Sequence, residues 1–120
     1  MKKPKKINEN LLRLVGDLRT LSYKKKVNIW KDVAKRLSKP SNNWAEVNIS
    51  RIARHAKKRE IILVPGKLLG AGNIDIPVTV AAFHSSESGK KKIKGAGGKV
   101  IAIEELMKAK PDGSNVRIMG

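Results

Sequence analysis

The stretch IILVPGKLLGAGNIDIPVTVAAF, residues 61–83, decides the fold. Ile61–Val64 is a continuous apolar run, which reads as a buried strand, and Pro65-Gly66 is expected to stop it. Val78–Phe83 is a second run rich in β-formers, preceded by Pro77. Working upstream, Val47 and Ile49 alternate as in a strand, and Ser50 is placed to cap a short helix over RIARHA, residues 51–56. Working downstream, Ser85 or Ser86 opens a helix through Ile93, closed by Gly95 and the Gly97-Gly98 pair. Val100-Ile101 predicts a further strand, Glu104–Lys108 a short helix, and Val116–Ile118 a last strand. Residues 45–120 therefore read as a small α/β domain.

Residues 1–44 have a different texture. The arm MKKPKK can bury nothing and is expected to be mobile. Asn8 stands as an N-cap, with Ile7 and Leu12 spaced as a hydrophobic staple. Leu11, Val15, Leu18 and Leu21 or Ser22 then follow helical spacing, and Gly16 weakens that helix by up to ~1 kcal/mol. The run Lys24-Lys25-Lys26 falls near its C-terminus, where cations complement the helix dipole. A second helix is predicted from Asn28 to about Ser38, with Trp30, Val33 and Leu37 on its apolar face and Pro40 beyond its end. Together they make a basic helical hairpin, joined to the α/β part by the turn-rich PSNNW, residues 40–44.

The chain has 120 residues, with 27 Lys and Arg against 10 Asp and Glu, a net charge of +17. Residues 1–60 hold 18 of the basic and 5 of the acidic side chains, so the first half carries most of the excess. Self-repulsion on that scale disfavours a compact chain in isolation and points to a polyanionic partner, nucleic acid first. Without cysteine there are no disulfides or thiolate metal sites, which suits a reducing compartment. No apolar run approaches the ~18 residues of a membrane span. MKKPKK has no apolar stretch behind it as a secretory signal would, so a soluble intracellular protein is expected.

Arg51, Arg54, His55, Lys57, Lys58 and Arg59 put six basic groups into nine residues. A charge run is often only a solvated helix face, but here almost no carboxylates are interleaved to pair with it. Arg51, Arg54 and Lys58 are expected to share one helical face, as a phosphate track requires. The segment PGKLLGAGN, residues 65–73, follows a buried strand but fails as a P-loop, because Lys67 comes too early. It fails as a dinucleotide fingerprint too, since Asp75 takes the third glycine's place. A tight turn is the plain reading. Its glycines also allow a close backbone approach, and with Lys67 beside them the approaching strand could be nucleic acid.

His55 and His84 have no neighbouring carboxylate and no metal-ligand spacing. Glu104-Glu105 sit where they complement a helix dipole, and Ser85, Ser86 and Ser88 read as caps. Nothing assembles a nucleophile, a base and an oxyanion donor, so no enzyme and no cofactor is expected. Trp30 fits a core position by its spacing. Trp44, in a polar loop, is the better candidate for stacking on a base or meeting a partner.

VNISRIARH (47–55), PGKLLGAGNIDIPVTVAAF (65–83) and AGGKVIAIEELMKAKPDGSNVRIMG (96–120) resemble the large-subunit ribosomal protein family eighteen-e of archaea and eukaryotes. That family is related, in its glycine-rich and VTVAA region, to bacterial large-subunit protein fifteen. The resemblance spans nearly the whole chain, including NLLRL and IWKDVAKRL, and the compact length is similar to archaeal members. One departure is Gly89, where the family usually has a better helix former. The resemblance implies a structural constituent of the cytoplasmic ribosome that binds large-subunit rRNA beside neighbouring ribosomal proteins, with no catalytic role. It implies irregular β-β-α turns carrying an N-terminal helical extension over RNA. It also implies RNA-facing roles for Asn48, Ser50, Arg51, Lys67, Gly70 and Gly72.

The expected contacts are therefore phosphate contacts. They fall to Lys2, Lys3, Lys5 and Lys6 of the arm, and to Arg13, Arg19, Lys24, Lys25, Lys26, Lys31, Lys35 and Arg36 of the hairpin. The 51–59 cluster and the 67–72 loop supply the rest. No membrane and no small-molecule substrate is expected. A chromatin-like DNA binder is the alternative that charge alone permits, and an RNA-modifying enzyme is a remoter one.

Overall fold

The structure, a computed structural model, describes residues 8–120. Expectations for the arm, including the Ile7 half of the staple, lie outside the described residues. The order of elements is α1 (Glu9–Lys25), α2 (Ile29–Leu37), a 3-10 turn (Ser41–Asn43), β1 (Ala45–Asn48), α3 (Ile49–His55), β2 (Ile61–Leu69), β3 (Thr79–Ser85), α4 (Glu87–Gly95), β4 (Lys99–Ala102), α5 (Ile103–Ala109) and β5 (Val116–Ile118). The mixed α/β class expected from the sequence is the one observed.

All pairings in the five-stranded sheet are parallel, in the order β1-β2-β3-β4, with β5 also on β2. β1 pairs residues 66–69 of β2 and β5 pairs residues 61–63, so the two short strands share one edge of β2 end to end. β2 does not stop at Pro65-Gly66, as the sequence had suggested. It continues to Leu69 through a register shift between Val64 and Lys67. Proline has no N–H to give a ladder, and a break in register is where a strand tolerates that loss. Pro65 falls in the gap between the segments paired with β5 and β1.

Alternation along the strands feeds two cores. Leu63 and Ala81 face Leu14, Leu18, Trp30, Val33 and Leu37 of the hairpin and Ile103 and Leu106 of α5. Ile62, Val64, Val80 and Ala82 face the opposite way, onto Ile49 and Ile52 of α3 and Ile93 of α4. The result is three layers, with a sheet apolar on both faces between two layers of helices. Residues 8–44 and 45–120, set apart in the sequence by their texture, meet in the first of these cores. Each fully buried large side chain there contributes roughly 1.5–3 kcal/mol of transfer free energy.

Capping follows the sequence closely at two helices. Asn8 Oδ1 accepts the Leu11 N–H at 3.1 Å, and Ser86 Oγ accepts the Gly89 N–H at 3.1 Å. α1 ends at Lys26 in the left-handed region (φ 55°), with the Lys26 and Val27 N–H groups both directed at the Ser22 carbonyl. Ser22 Oγ also donates to the Val27 carbonyl, so the elbow between α1 and α2 is tied by backbone and side chain together. Trp30 is fully buried, and its indole N–H donates to the Pro111 carbonyl at 2.8 Å. Ser114 N–H bonds the Asp112 carboxylate, closing the turn that presents Pro111, and that bond is the main cause holding Asp112 below the ordinary carboxylate range.

Candidate nucleic-acid interface

One layer of the molecule gathers the features singled out at residues 47–73. α3 begins at Ile49, two residues earlier than a Ser50 cap would place it, with extended Asn48 in the cap position. Neither Asn48 nor Ser50 caps α3 by its side chain. Asn48 Oδ1 accepts the Ala71 N–H at 3.1 Å, and the Ser50 N–H donates to the Ala71 carbonyl at 3.0 Å. The glycine-rich loop is thereby stitched to the first turn of α3.

From the other side α4 holds the same loop. Lys92 Nζ donates to the carbonyls of Gly70 and Gly72, each at 2.6 Å. Gly72 has φ +103°, and a β-carbon on it would meet the Ser50 backbone at 2.6 Å. A β-carbon on Gly70 would run into the Ser88 side chain. The close approach foreseen for these glycines is therefore made by the protein's own α3 and α4, each on the side where a β-carbon would stand. Lys67, half-buried on β2, precedes the loop.

Around this clamp the cations face outward. Arg51 and Arg54 are exposed on α3. Lys58 is exposed but does not continue their helical face, because the helix ends at His55 and Ala56 is already extended (ψ 147°). The chain turns there to enter β2: the Lys57 N–H bonds Glu60 Oε1 at 3.1 Å, and Arg59 takes φ 66° with its N–H on the Pro77 carbonyl. His55, Lys57 and Arg59 are exposed in the same region, and the His55 carbonyl is taken by Arg117.

α4 adds cations that the sequence reading passed over. Lys90, Lys91 and Lys94 are exposed on the helix that packs beside α3. Their signal was the run KKKIK at 90–94, with no carboxylate after Glu87 to answer it. Lys92 within that run could not be told from its neighbours, since only the folded loop reveals its acceptors. Gly89 fits the buried side of α4, where it packs on Leu68.

The hairpin presents a second basic surface. Arg13, Arg19, Lys24, Lys25, Lys26, Lys31 and Lys35 are all exposed, whereas Arg36 is engaged within the chain. Its Nε meets Asp32 Oδ1 at 3.1 Å and its NH1 meets the Gly120 carbonyl at 3.1 Å. The described residues form only two further ion pairs, Lys90–Glu87 and Arg117–Glu60, which leaves most of the positive charge without an internal partner. Lys2, Lys3, Lys5 and Lys6 lie outside the described residues.

Trp44 is tied into the protein by its ring and by its indole N–H. Its ring meets Phe83 edge-on at 5.0 Å, and its N–H donates to the Lys39 carbonyl at 2.9 Å. His84 is exposed on β3, and no group of three His, Asp or Glu among the described residues is placed to hold a metal ion. No helix among the described residues is long and apolar enough to cross a membrane.

The sequence is similar to the large ribosomal subunit protein eL18 of Methanococcus maripaludis, 47% identical over 119 residues that cover 99% of each chain. It is 49% identical to the protein of the same name from Archaeoglobus fulgidus over 96% of this chain and 98% of that one. With the counterpart in Methanothermobacter thermautotrophicus it shares 42% over 99% and 98%. The pattern of one ribosomal family matches residues 1–120 from end to end, and the chain belongs to that family, ribosomal protein 60S L18 and 50S L18e.

Proposed function

We propose that this structural constituent of the large ribosomal subunit binds large-subunit rRNA through the α3–loop–α4 face and the outer face of the hairpin. The observation that carries the reading is the state of the cations. Arg51, Arg54, Lys91 and Lys94 are exposed around one rigid clamp and have no carboxylate in ion-pair reach among the described residues. Phosphates are the counter-charge that such an array lacks. Contacts of this kind fix position and carry little sequence information, so discrimination comes from RNA shape. The role is that of a scaffold, with neighbouring large-subunit proteins as further partners and no catalytic step.

The test is a salt titration of binding to large-subunit rRNA fragments, with duplex DNA of matched length as the competitor. Affinity is expected to fall with a log–log slope of about −0.7 to −0.9 per phosphate neutralised, and the RNA is expected to be preferred. A flat titration, or equal affinity for the DNA, would overturn the proposal.

A further inference from the structure

Tyr23 is 86% exposed on α1, although its ring would be expected to seek cover. It stands at the mouth of a cleft of about 780 Å³ formed where the last turn of α1 meets the start of α2. Arg19, Lys24, Lys26 and Lys31 line this cleft with Tyr23, Val27 supplies an apolar floor, and no carboxylate is among its lining residues. The nearest acid on α2, Asp32, is already held by Arg36.

The elbow that carries the ring is fixed. Ser22, next to Tyr23, is buried, with its carbonyl accepting two N–H groups and its hydroxyl on Val27. Tyr23 is therefore presented to solvent by a locked turn rather than by a loose end. An exposed aromatic face carried on a fixed backbone among cations without an ion-pair partner in the described residues is the arrangement that stacks an unpaired base while the phosphates on either side are neutralised. The volume is in the range of clefts that hold a small organic group.

We infer that the α1–α2 elbow holds one unpaired nucleotide of the RNA, its base stacked on Tyr23 and its flanking phosphates on Lys24, Lys26 and Lys31. This rests on the rRNA reading above but adds a contact that phosphate neutralisation alone does not require. It also assigns the exposed aromatic role to Tyr23, in place of the internally bonded Trp44.

The experiment compares the full chain and its Tyr23→Ala, Tyr23→Phe and Tyr23→Trp variants on two RNA hairpins, one with a single bulged nucleotide and one fully paired. Tyr23 is too exposed for these changes to disturb folding. The wild type is expected to prefer the bulged RNA, and Tyr23→Ala to lose about five- to hundredfold on it alone. The Phe and Trp variants should keep the preference. If Tyr23→Ala binds both RNAs as the wild type does, with the steep salt dependence intact, the stacking site is refuted and the phosphate reading stands. If no variant shows salt-dependent RNA binding, both fall. If Tyr23→Ala binds RNA normally but fails to join subunits in the presence of other subunit proteins, the cleft is a protein contact and the inference is overturned.

Discussion

Lys92 Nζ lies 2.6 Å from the Gly70 carbonyl oxygen, so a lysine from the middle of a basic helix is spent on the protein itself. The same ammonium reaches Gly72, which makes it the clasp of a loop that α3 holds from the other side. Lys92→Met keeps most of the stem's packing and removes both charge-assisted bonds. A loss of about 1–2 kcal/mol is expected, given that the group is only half-buried, and chemical denaturation would read it as a lower midpoint. Lys91→Met, one residue away and exposed, should leave the midpoint in place and lower only RNA affinity. Equal effects on stability would show that the clasp contributes nothing.

The glycines separate into two kinds that substitution can tell apart. Gly72→Ala forces a β-carbon onto φ +103° and into the Ser50 backbone, an expected cost of about 2–4 kcal/mol. Gly16, in the middle of α1, has nothing within 4 Å of where a β-carbon would stand. Gly16→Ala should therefore stabilise by up to about 1 kcal/mol through helix propensity alone. Thermal melts of the two variants should move in opposite directions.

Trp30 links the hairpin to the turn before β5, at a sequence separation that no local preference explains. Trp30→Phe keeps an aromatic ring but vacates part of the core and leaves the Pro111 carbonyl without its donor. A loss of about 2–4 kcal/mol is expected. Because Leu18, Trp30 and Leu63 share one core, unfolding should remain a single transition when followed by helix and by tryptophan signals. Separate melting of the hairpin and the sheet would contradict the shared core.

The Asp112 carboxylate is held low chiefly by the Ser114 N–H, which fixes the sign of its pH effect. A depressed folded pKa means that the contribution is fully present above the unfolded value and is lost as pH falls through the folded one. The Ser114 amide resonance should accordingly titrate with a midpoint below that of an ordinary aspartate. A midpoint at or above the ordinary value would show that the turn does not hold the charged form.

How far the sequence led depends on the range of the physics involved. The strands at 61–64 and 78–83, the cap at Asn8 and a cap at Ser85 or Ser86 were legible because each rests on neighbours within a few residues. The passage of β2 through Pro65-Gly66 was not, since it needs β1 and β5 to divide one edge between them. The early end of α3, which takes Lys58 off the Arg51 and Arg54 face, is set by the turn into β2. At the candidate interface, residue types were readable and orientation was not. Gly70 and Gly72 were readable as places of close approach, and Asn48 and Ser50 were marked only by the family resemblance; the partners that all four find within the chain come from elements far off in sequence. Trp44 looked free in a polar loop because Phe83 is distant along the chain.

Arg51 and Arg36 give the sharpest contrast between a cation that faces outward and one that is used internally. Arg51→Ala combined with Arg54→Ala removes two exposed guanidinium groups with no ion pair in the described residues. If each neutralises one phosphate, the log–log salt slope should shrink by roughly 1.4–1.8, while the melting temperature barely moves. Arg36→Ala also removes one positive charge, but it breaks the Asp32 pair and the bond to the Gly120 carbonyl. It should lower stability by about 0.5–1 kcal/mol and leave the slope nearly unchanged. Net charge falls in both variants, so a slope that tracked total charge alone would shrink for Arg36→Ala as well, and the α3 face would lose its claim to be the contact surface.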